Sequence, residues 1–152
     1  MMKVWLVTHS EELKKSTGTG RLVKSALKEE CEIIEWSRVE PNPTLLALDP
    51  QQTILVYPNQ GKQIVNLEND AYIKNIILID GTWQQAKKMY NHSPYLQHFS
   101  HLTIEGIQST YRKRRNQKST GLCTAESVIY LLEKFKHPAK ISLQTMYDNF
   151  NQ

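Results

Sequence analysis

The feature that most constrains the fold of this chain is a run of aliphatic residues that ends in an acid. Residues 76–79 (Ile-Ile-Leu-Ile) lead directly into Asp80-Gly81-Thr82-Trp83, after which the spacing of apolar residues becomes helical. A short apolar run bounded in this way is typical of a buried parallel strand that is followed by a loop and a helix. In open α/β sheets, ligands bind at the carboxyl ends of strands, which is where Asp80 is expected. We therefore expect the chemistry of the protein at this point.

The rest of the chain alternates between strand and helix patterns. Strand patterns cover 3–8, 31–36, 52–57, 75–79 and 99–104, and helical spacing covers 21–30, 44–48, 83–90, 123–135 and 142–150. This alternation predicts an α/β fold with a mostly parallel sheet flanked by helices. Because the 152 residues contain no long linker and no internal repeat, we expect a single domain over 1–152.

Composition argues against several classes of protein. No apolar run approaches the roughly 20 residues that span a bilayer, and residues 1–9 lack the cleavage site of a signal peptide. Cys31 and Cys123 lie far apart and form no CxxC pair, and the five histidines show no HExxH spacing. We expect a cytoplasmic protein without a membrane segment, a disulfide framework or a metal site.

The densest charge lies in a basic segment in the last third of the chain. The net charge is only +4, but residues 112–118 contain five cations and no acid, next to Tyr111. Arginine forks match phosphate oxygens, and guanidinium planes stack on bases. The alternative is a solvated run of charge, which is the usual role of such a run. The residues predicted to contact RNA are Tyr111, Arg112, Lys113, Arg114, Arg115 and Lys118.

Several motifs near the expected site also allow purely structural roles. Asp80 can cap the helix that follows it or simply end its strand. The loop 16–21 (Ser-Thr-Gly-Thr-Gly-Arg) can offer backbone N–H groups to an anion or serve as a surface linker. In residues 121–126, Thr124 or Ser119 can cap a helix, with Glu126 near its positive end. His9 is expected to be a structural polar residue at a strand end.

The segment Asp80-Gly81-Thr82-Trp83 resembles the signature that names the DTW-domain family. Further blocks resemble motifs of that family in the family's order, and they are Thr8-His9 with Glu12, Thr19-Gly20-Arg21-Leu22, Leu55-Val56-Tyr57-Pro58, Tyr111-Arg112-Lys113-Arg114 and Leu122-Cys123-Thr124-Ala125-Glu126-Ser127. Together these blocks span most of the chain, and the set is specific although no single block is. The chain differs in having Gly18 where the family usually has asparagine. We also expect no cysteine-rich segment of the kind that many members have before the first strand.

The resemblance implies a transfer of the 3-amino-3-carboxypropyl group of S-adenosylmethionine to N3 of a uridine in tRNA, with methylthioadenosine as the by-product. It also implies a fold related to the SPOUT-type domains, with a C-terminal knot, and a monomer or a homodimer. tRNA is favoured over rRNA as the substrate. The rival interpretations are a SPOUT-like RNA methyltransferase and a non-catalytic RNA-binding module.

The resemblance further assigns residues to roles. Asp80 is the expected catalytic residue, which accepts the N3 proton or orients the base for attack. Arg21 or Thr19 is the candidate clamp for the carboxylate of S-adenosylmethionine. The residues expected to bind S-adenosylmethionine are Thr19, Gly20, Arg21, Tyr57, Pro58, Asp80, Gly81, Thr82, Trp83, Leu122, Cys123, Thr124 and Glu126.

Overall fold

A computed structural model describes residues 2–58, 72–113 and 121–152. Within this part of the chain, five strands form one sheet in which every pairing is parallel. The strands are β1 (Lys3–Thr8), β2 (Cys31–Glu35), β3 (Thr53–Val56), β4 (Asn75–Asp80) and β5 (Ser100–Leu102). Their order across the sheet is β2-β1-β4-β3-β5, so β4 lies at the centre. The predicted α/β fold with a parallel sheet is confirmed.

Helices follow the strands in sequence. They are α1 (Ser10–Leu13), α2 (Gly20–Leu27), α3 (Pro43–Leu46), α4 (Trp83–Asn91), α5 (Pro94–Gln97), α6 (Thr124–Lys134) and α7 (Ala139–Phe150), with 3₁₀ turns at Lys28–Glu30 and Pro50–Gln52. The helix predicted over 21–30 is shorter, because Lys28 has a φ of 55° that ends the α-helix. The helix predicted over 44–48 begins earlier, at Pro43, since Asn42 accepts hydrogen bonds from the N–H groups of Thr44 and Leu45.

Two further boundaries differ from the sequence-based prediction. The strand predicted over 99–104 is reduced to Ser100–Leu102, because its neighbour β3 offers only three positions of pairing, Ile54 to Val56. The last helix begins at Ala139 instead of residue 142, directly after Pro138, a residue that suits the start of a helix. Helix α5, with proline at its first position, is too short to give a helical spacing signal and was not predicted.

Apolar side chains alternate between the two faces of the sheet and form two cores. On one face, Val4 and Leu6 of β1 pack with Val23 of α2 and with residues of α6 and α7. On the other face, Trp5 and Val7 of β1 pack with α3, α4 and α5. Helix α2, which leads from β1 towards β2, therefore lies on one face of the sheet, and α4, which follows β4, lies on the opposite face. Since β1 and β4 are neighbours, the topological switch point lies between their carboxyl ends.

The C-terminal knot stays a prediction, because residues 114–120, which precede α6, lie outside the described residues. None of the helices in the described ranges is long and apolar enough to cross a membrane.

Candidate functional site

The switch point brings the ends of β1 and β4 together. Thr8 and Asp80 are register partners, and the N–H of His9 donates to the carbonyl of Asp80 at 2.9 Å. The imidazole of His9 then turns to α1, where its Nδ1 accepts from the N–H of Glu11 at 3.1 Å and caps the helix. His9 thus has the structural role expected from the sequence, and Asp80 is the acidic group at this point.

The carboxylate of Asp80 is buried, with 6% of the residue exposed. Its Oδ1 accepts a hydrogen bond from the hydroxyl of Thr124 at 2.7 Å. Its Oδ2 lies against Gly20, so closely that a Cβ at this glycine would be 2.7 Å from it. The Asp80 carboxylate is therefore held between the first residues of two helices, α2 and α6. A polar residue that merely ends a strand does not need such contacts.

Burial raises the pKa of Asp80 from 3.8 to about 6. The hydrogen bond from Thr124 opposes this change, while the nearby charges of Glu12 and Lys15 act in opposite directions. Near neutral pH the group is therefore mostly ionised but close to its midpoint. A buried carboxylate in this range is suited to accepting a proton.

Asp80 does not cap the helix that follows it. Thr82 is the N-cap of α4, and its Oγ1 accepts from the N–H of Gln85 at 3.2 Å while Gln85 Oε1 accepts from the N–H of Thr82 at 2.9 Å. This reciprocal pair is a capping box. The cap alternative for Asp80 is wrong, because Thr82 takes that role and leaves the carboxylate to face Thr124 and Gly20.

The early loop contacts the start of α6 through Thr19. Thr19 is buried, and its Oγ1 accepts from the N–H of Ala125 at 3.0 Å. This bond joins residues that are more than 100 positions apart in sequence. The loop therefore packs against the start of α6 through Thr19, and the surface-linker alternative does not describe it. Arg21, by contrast, is exposed and directs its guanidinium to Ser16 and Phe150.

A cleft lies at the carboxyl ends of β3 and β5, and β3 is the sheet neighbour of β4. Its empty volume is about 420 Å³, part of it open to solvent, and its lining residues are Val56, Tyr57, Pro58, Leu102, Thr103, Ile104, Leu122 and Ser127. The structure thus brings together three residues of the predicted site, Tyr57, Pro58 and Leu122. Thr103 and Ile104 were missed, although strands of a parallel sheet end at a common edge and the end of β5 is a signal for them.

A stack of rings connects the cleft with the loop after β4. Trp83, 53% exposed, is near-parallel to Tyr57 at a centroid distance of 6.3 Å, and Tyr57 stacks on Tyr90 at 4.0 Å. The hydroxyl of Tyr90 is 2.7 Å from Nε2 of the buried His101. Sequence reasoning missed Tyr90 and His101, whose positions in a helix and a strand gave no signal for such a pairing. The stack fixes Tyr57 between the cleft and the core.

Glu126 holds the segment before the basic residues against α6. Its Oε1 accepts from the Ser109 hydroxyl at 2.6 Å and from the N–H of Cys123 at 3.0 Å, and its Oε2 accepts from the N–H of Thr110 at 2.8 Å. Partial burial raises the pKa of Glu126, but these hydrogen bonds outweigh it and leave the pKa below its ordinary value. The carboxylate is thus stabilised in its ionised form.

The predicted cap of α6 needs correction. Cys123 is the N-cap residue and Thr124 is the first helical residue, whose hydroxyl donates to Asp80 instead. Ser119, the other candidate, lies outside the described residues. Cys123 is buried, and burial raises the pKa of its thiol to about 12, so it packs as a neutral side chain. The interaction of Glu126 with the start of the helix agrees with the prediction.

Replacing Glu126 by Gln is expected to destabilise the protein at pH 7 by about 1–3 kcal/mol, because an amide cannot accept all of the bonds that the carboxylate accepts. The lowered pKa stabilises the fold above the ordinary carboxyl pKa of 4.5, and this contribution is lost as the pH falls through the folded-state pKa. Urea unfolding at pH 7 and at pH 4 measures the difference. If the free energies of unfolding of the variant and the wild type differ by the same amount at both pH values, the lowered pKa of Glu126 would be contradicted.

The described part of the basic segment packs against the C-terminal helix. The hydroxyl of Tyr111 donates to the carbonyl of Thr17, and its ring contacts Tyr147 and Phe150. The N–H of Arg112 donates to Asn151 Oδ1 at 2.8 Å. The predicted RNA contacts Arg114, Arg115 and Lys118 lie outside the described residues. Tyr111 therefore anchors the segment, while the side chain of Arg112 is exposed.

Hydrogen bonds bring the blocks at Thr19, Asp80 and Leu122–Glu126 into contact, although these blocks lie far apart in the sequence. A family model described as the DTW domain matches residues 1–152. The chain belongs to the DTW-domain family. This DTW domain is 28% identical over 138 residues to a Drosophila melanogaster protein named tRNA-uridine aminocarboxypropyltransferase 2, covering 86% of this chain and 55% of that protein.

A second relative of the DTW domain carries the same name. It comes from Macaca fascicularis and is 28% identical over 144 residues, covering 86% of this chain and 48% of that protein. The chain therefore spans about half the length of the curated relatives it matches. No solved structure matches the chain at a significant level. Among the described residues, no group of three or more His, Cys, Asp or Glu side chains is placed to hold a metal ion.

Proposed function

We propose that this DTW-domain protein transfers the 3-amino-3-carboxypropyl group of S-adenosylmethionine to N3 of a uridine in tRNA and releases methylthioadenosine. The observation that carries the proposal is Asp80, a buried acid with a pKa of about 6 at the same carboxyl edge of the sheet as the cleft. The printed names of the relatives supply the reaction class. We further propose a monomer or homodimer in the cytoplasm, with the C-terminal knot of SPOUT-type domains.

The cleft suits the adenosine part of S-adenosylmethionine. Its lining is mainly apolar with a few polar groups, which is the usual character of a small-molecule site. Tyr57, Pro58 and Leu122 would hold the adenine largely with apolar surface and backbone groups. Thr19, at the junction with α6, is the better placed of the two candidate carboxylate clamps, because Arg21 turns towards Phe150.

S-adenosylmethionine supplies an electrophilic carbon attached to a sulfonium, which leaves as a neutral thioether. The weakly acidic N3–H of uridine must lose its proton as N3 forms the new bond to that carbon. In the proposed mechanism the Asp80 carboxylate accepts this proton, and the carbon–sulfur bond breaks as the nitrogen–carbon bond forms. Thr124 holds the second carboxylate oxygen, which fixes the direction of the accepting one. An orienting role for Asp80, without proton transfer, is the alternative.

Most of the remaining acceleration would come from alignment of N3, the attacked carbon and the sulfur. The rigid packing of Asp80 between α2 and α6 supports this role, because it leaves the acid one position. Arg112 and Lys113, with Arg114, Arg115 and Lys118, would bind the phosphates of tRNA, which makes affinity salt-dependent. The Glu126 contacts, which hold Ser109 and Thr110 just before this basic segment against the start of α6, support this role.

The pH dependence of transfer tests the proposed base. Because the base must be ionised, kcat/KM is expected to rise about tenfold per pH unit below pH 6 and to level off above it. Single-turnover transfer at pH 4.5–8, with label in the aminocarboxypropyl group, measures the profile. A rate that does not change between pH 4.5 and 7 would remove the base role and leave Asp80 as an orienting group.

Product analysis tests the reaction itself. The protein is incubated with S-adenosylmethionine and unmodified tRNA, and nucleosides and small products are identified by mass spectrometry. Aminocarboxypropyl-uridine together with methylthioadenosine supports the proposal. S-adenosylhomocysteine would instead identify a methyltransferase. Neither product, combined with no binding of S-adenosylmethionine in calorimetry, would indicate a non-catalytic RNA-binding module.

A further inference from the structure

Two cations from distant parts of the chain meet over one ring at the end of α7. The guanidinium carbon of Arg21 lies 5.2 Å from the centroid of Phe150, and Nζ of Lys113 lies 4.6 Å from the same centroid. The ring of Tyr111 is near-parallel to Phe150 at 6.4 Å. We call Arg21, Lys113 and Phe150 the cationic cluster.

The cationic cluster has no acidic partner in the described part of the chain. The ion pairs there join Lys3 to Glu32, Lys15 to Glu12 and His137 to Glu30, and none of them includes Arg21 or Lys113. Contact with a ring offsets the repulsion of two cations only in part, since an exposed cation–π contact is weak. If the cluster had only a structural role, a neighbouring carboxylate would stabilise the two cations better than a ring does. The arrangement therefore favours an external anion.

Arg21 keeps most of its hydrogen-bonding capacity for such an anion. Within the described ranges, the guanidinium donates to the carbonyl of Ser16. A guanidinium has five N–H donors in a planar fork that matches two oxygens of a phosphate. The ring of Phe150 holds the group from one side, which reduces the loss of side-chain entropy when an anion binds.

The cationic cluster joins a residue next to the proposed base's contact with a residue of the basic segment. Arg21 directly follows Gly20, which touches the carboxylate of Asp80. Lys113 is part of the basic segment, and Tyr111 ties that segment to Thr17 in the same loop as Gly20. A phosphate bound by Arg21 would therefore contact the residue next to the one that touches Asp80.

The geometry points to a phosphodiester-binding site formed by Arg21 and Lys113 over Phe150, which grips the RNA backbone next to the target uridine. Arg21 is then an RNA contact and not the clamp for the carboxylate of S-adenosylmethionine. This inference rests on the proposed function, because it takes tRNA as the substrate. It adds Arg21 and Phe150 to the RNA-binding surface and separates the roles of neighbouring loop residues Thr19 and Arg21.

The experiment compares R21A, R21K, K113A and F150L with the wild type. The matched control is K134A, because Lys134 also lies over a ring, Tyr130 at 5.4 Å, but at the far end of α6. Binding of an unmodified tRNA transcript is measured by fluorescence anisotropy at several salt concentrations, and binding of S-adenosylmethionine is measured by calorimetry. Circular dichroism and thermal unfolding establish that each variant is folded.

R21A and K113A are each expected to weaken tRNA binding about five- to tenfold and to reduce the slope of log affinity against log salt by about 0.7–0.9. F150L should weaken tRNA binding less, R21K should recover part of it, and K134A should match the wild type. All variants should bind S-adenosylmethionine normally.

A different result would overturn the inference. If R21A binds tRNA like the wild type but loses affinity for S-adenosylmethionine, Arg21 is the carboxylate clamp. If K134A weakens tRNA binding as much as R21A, the effect is one of general charge. A wild type that binds no tRNA would overturn both this inference and the proposed function.

Discussion

Replacing Asp80 by Asn is expected to reduce aminocarboxypropyl transfer by about 100- to 10,000-fold, the range over which a positioned general base contributes. Asn retains an oxygen that can accept from the Thr124 hydroxyl, so the position of the side chain should change little. What it loses is the ability to take a proton. Single-turnover transfer under saturating S-adenosylmethionine measures the loss, and calorimetry establishes that the co-substrate still binds. Transfer near the wild-type rate would rule out the base role.

The same substitution is expected to stabilise the fold at pH 7. The pKa of Asp80 is raised in the folded state, from 3.8 to about 6, so the native protein binds its proton more tightly than the unfolded chain does. Stability therefore falls as the pH rises from about 4 to 6, and the ionised group costs roughly 3 kcal/mol above that range. Asn carries no charge and avoids this cost. Loss of activity with a gain in stability is typical of a catalytic group.

Thermal unfolding between pH 4 and pH 8 measures this effect. The difference in stability between D80N and the wild type should be small at pH 4 and should grow up to pH 7. The matched control is D49N, since Asp49 is an exposed acid that caps a 3₁₀ turn, and Asn is an equally good cap. The thermal stability of D49N should equal that of the wild type at every pH. A D80N variant that is less stable than the wild type at pH 7 would contradict the assigned environment.

The central strand and the position of its acid could be predicted from sequence because both depend on local pattern. An apolar run that ends in Asp80 defines a buried strand, and parallel strands deliver their carboxyl ends to one edge of the sheet. The same reasoning places Tyr57 and Pro58 at that edge. These predictions require only the fold class, and the structure agrees with each of them on geometry.

The contacts that give Asp80 its properties could not be predicted in this way. The bond from Thr124 and the approach of Gly20 depend on where α6 and α2 lie on the sheet, and nothing local to either residue fixes that placement. From the sequence alone, a helix cap and a catalytic residue are therefore equal alternatives for the role of Asp80. The orientation of Arg21 is a similar case, since it depends on Phe150 at the other end of the chain.

Cap residues show a different limit of sequence reasoning. Ser and Thr are usual N-caps, so Thr124 was a reasonable candidate, yet Cys123 caps α6. The reason is a competing interaction, because the Thr124 hydroxyl is used by Asp80. Local preference is overridden at a residue whose hydroxyl donates to Asp80, and such an override is a signal of a functional position.

Replacing Gly20 by Ala is expected to reduce transfer by about 100-fold, although alanine is the better helix former. The added Cβ would lie 2.7 Å from Asp80 Oδ2 and 3.4 Å from a methyl carbon of Leu6. A contact that short forces the carboxylate to move, and since Thr124 holds its other oxygen, the hydrogen bond must lengthen or break. Overpacking of this kind should also lower stability by about 1–3 kcal/mol.

The matched control for G20A is G18A, in the same loop. A Cβ at Gly18 would meet the carbonyl and a carboxylate oxygen of Glu12 at 3.4 Å, which is ordinary contact, so G18A should keep its activity. A double-mutant cycle then isolates the cause. If G20A acts by displacing the carboxylate, it should lower transfer little further in the D80N background, whereas damage to the loop itself would add to the loss. Equal losses in G18A and G20A would likewise assign the effect to the loop, because of these two glycines Gly20 is the one that touches the proposed base.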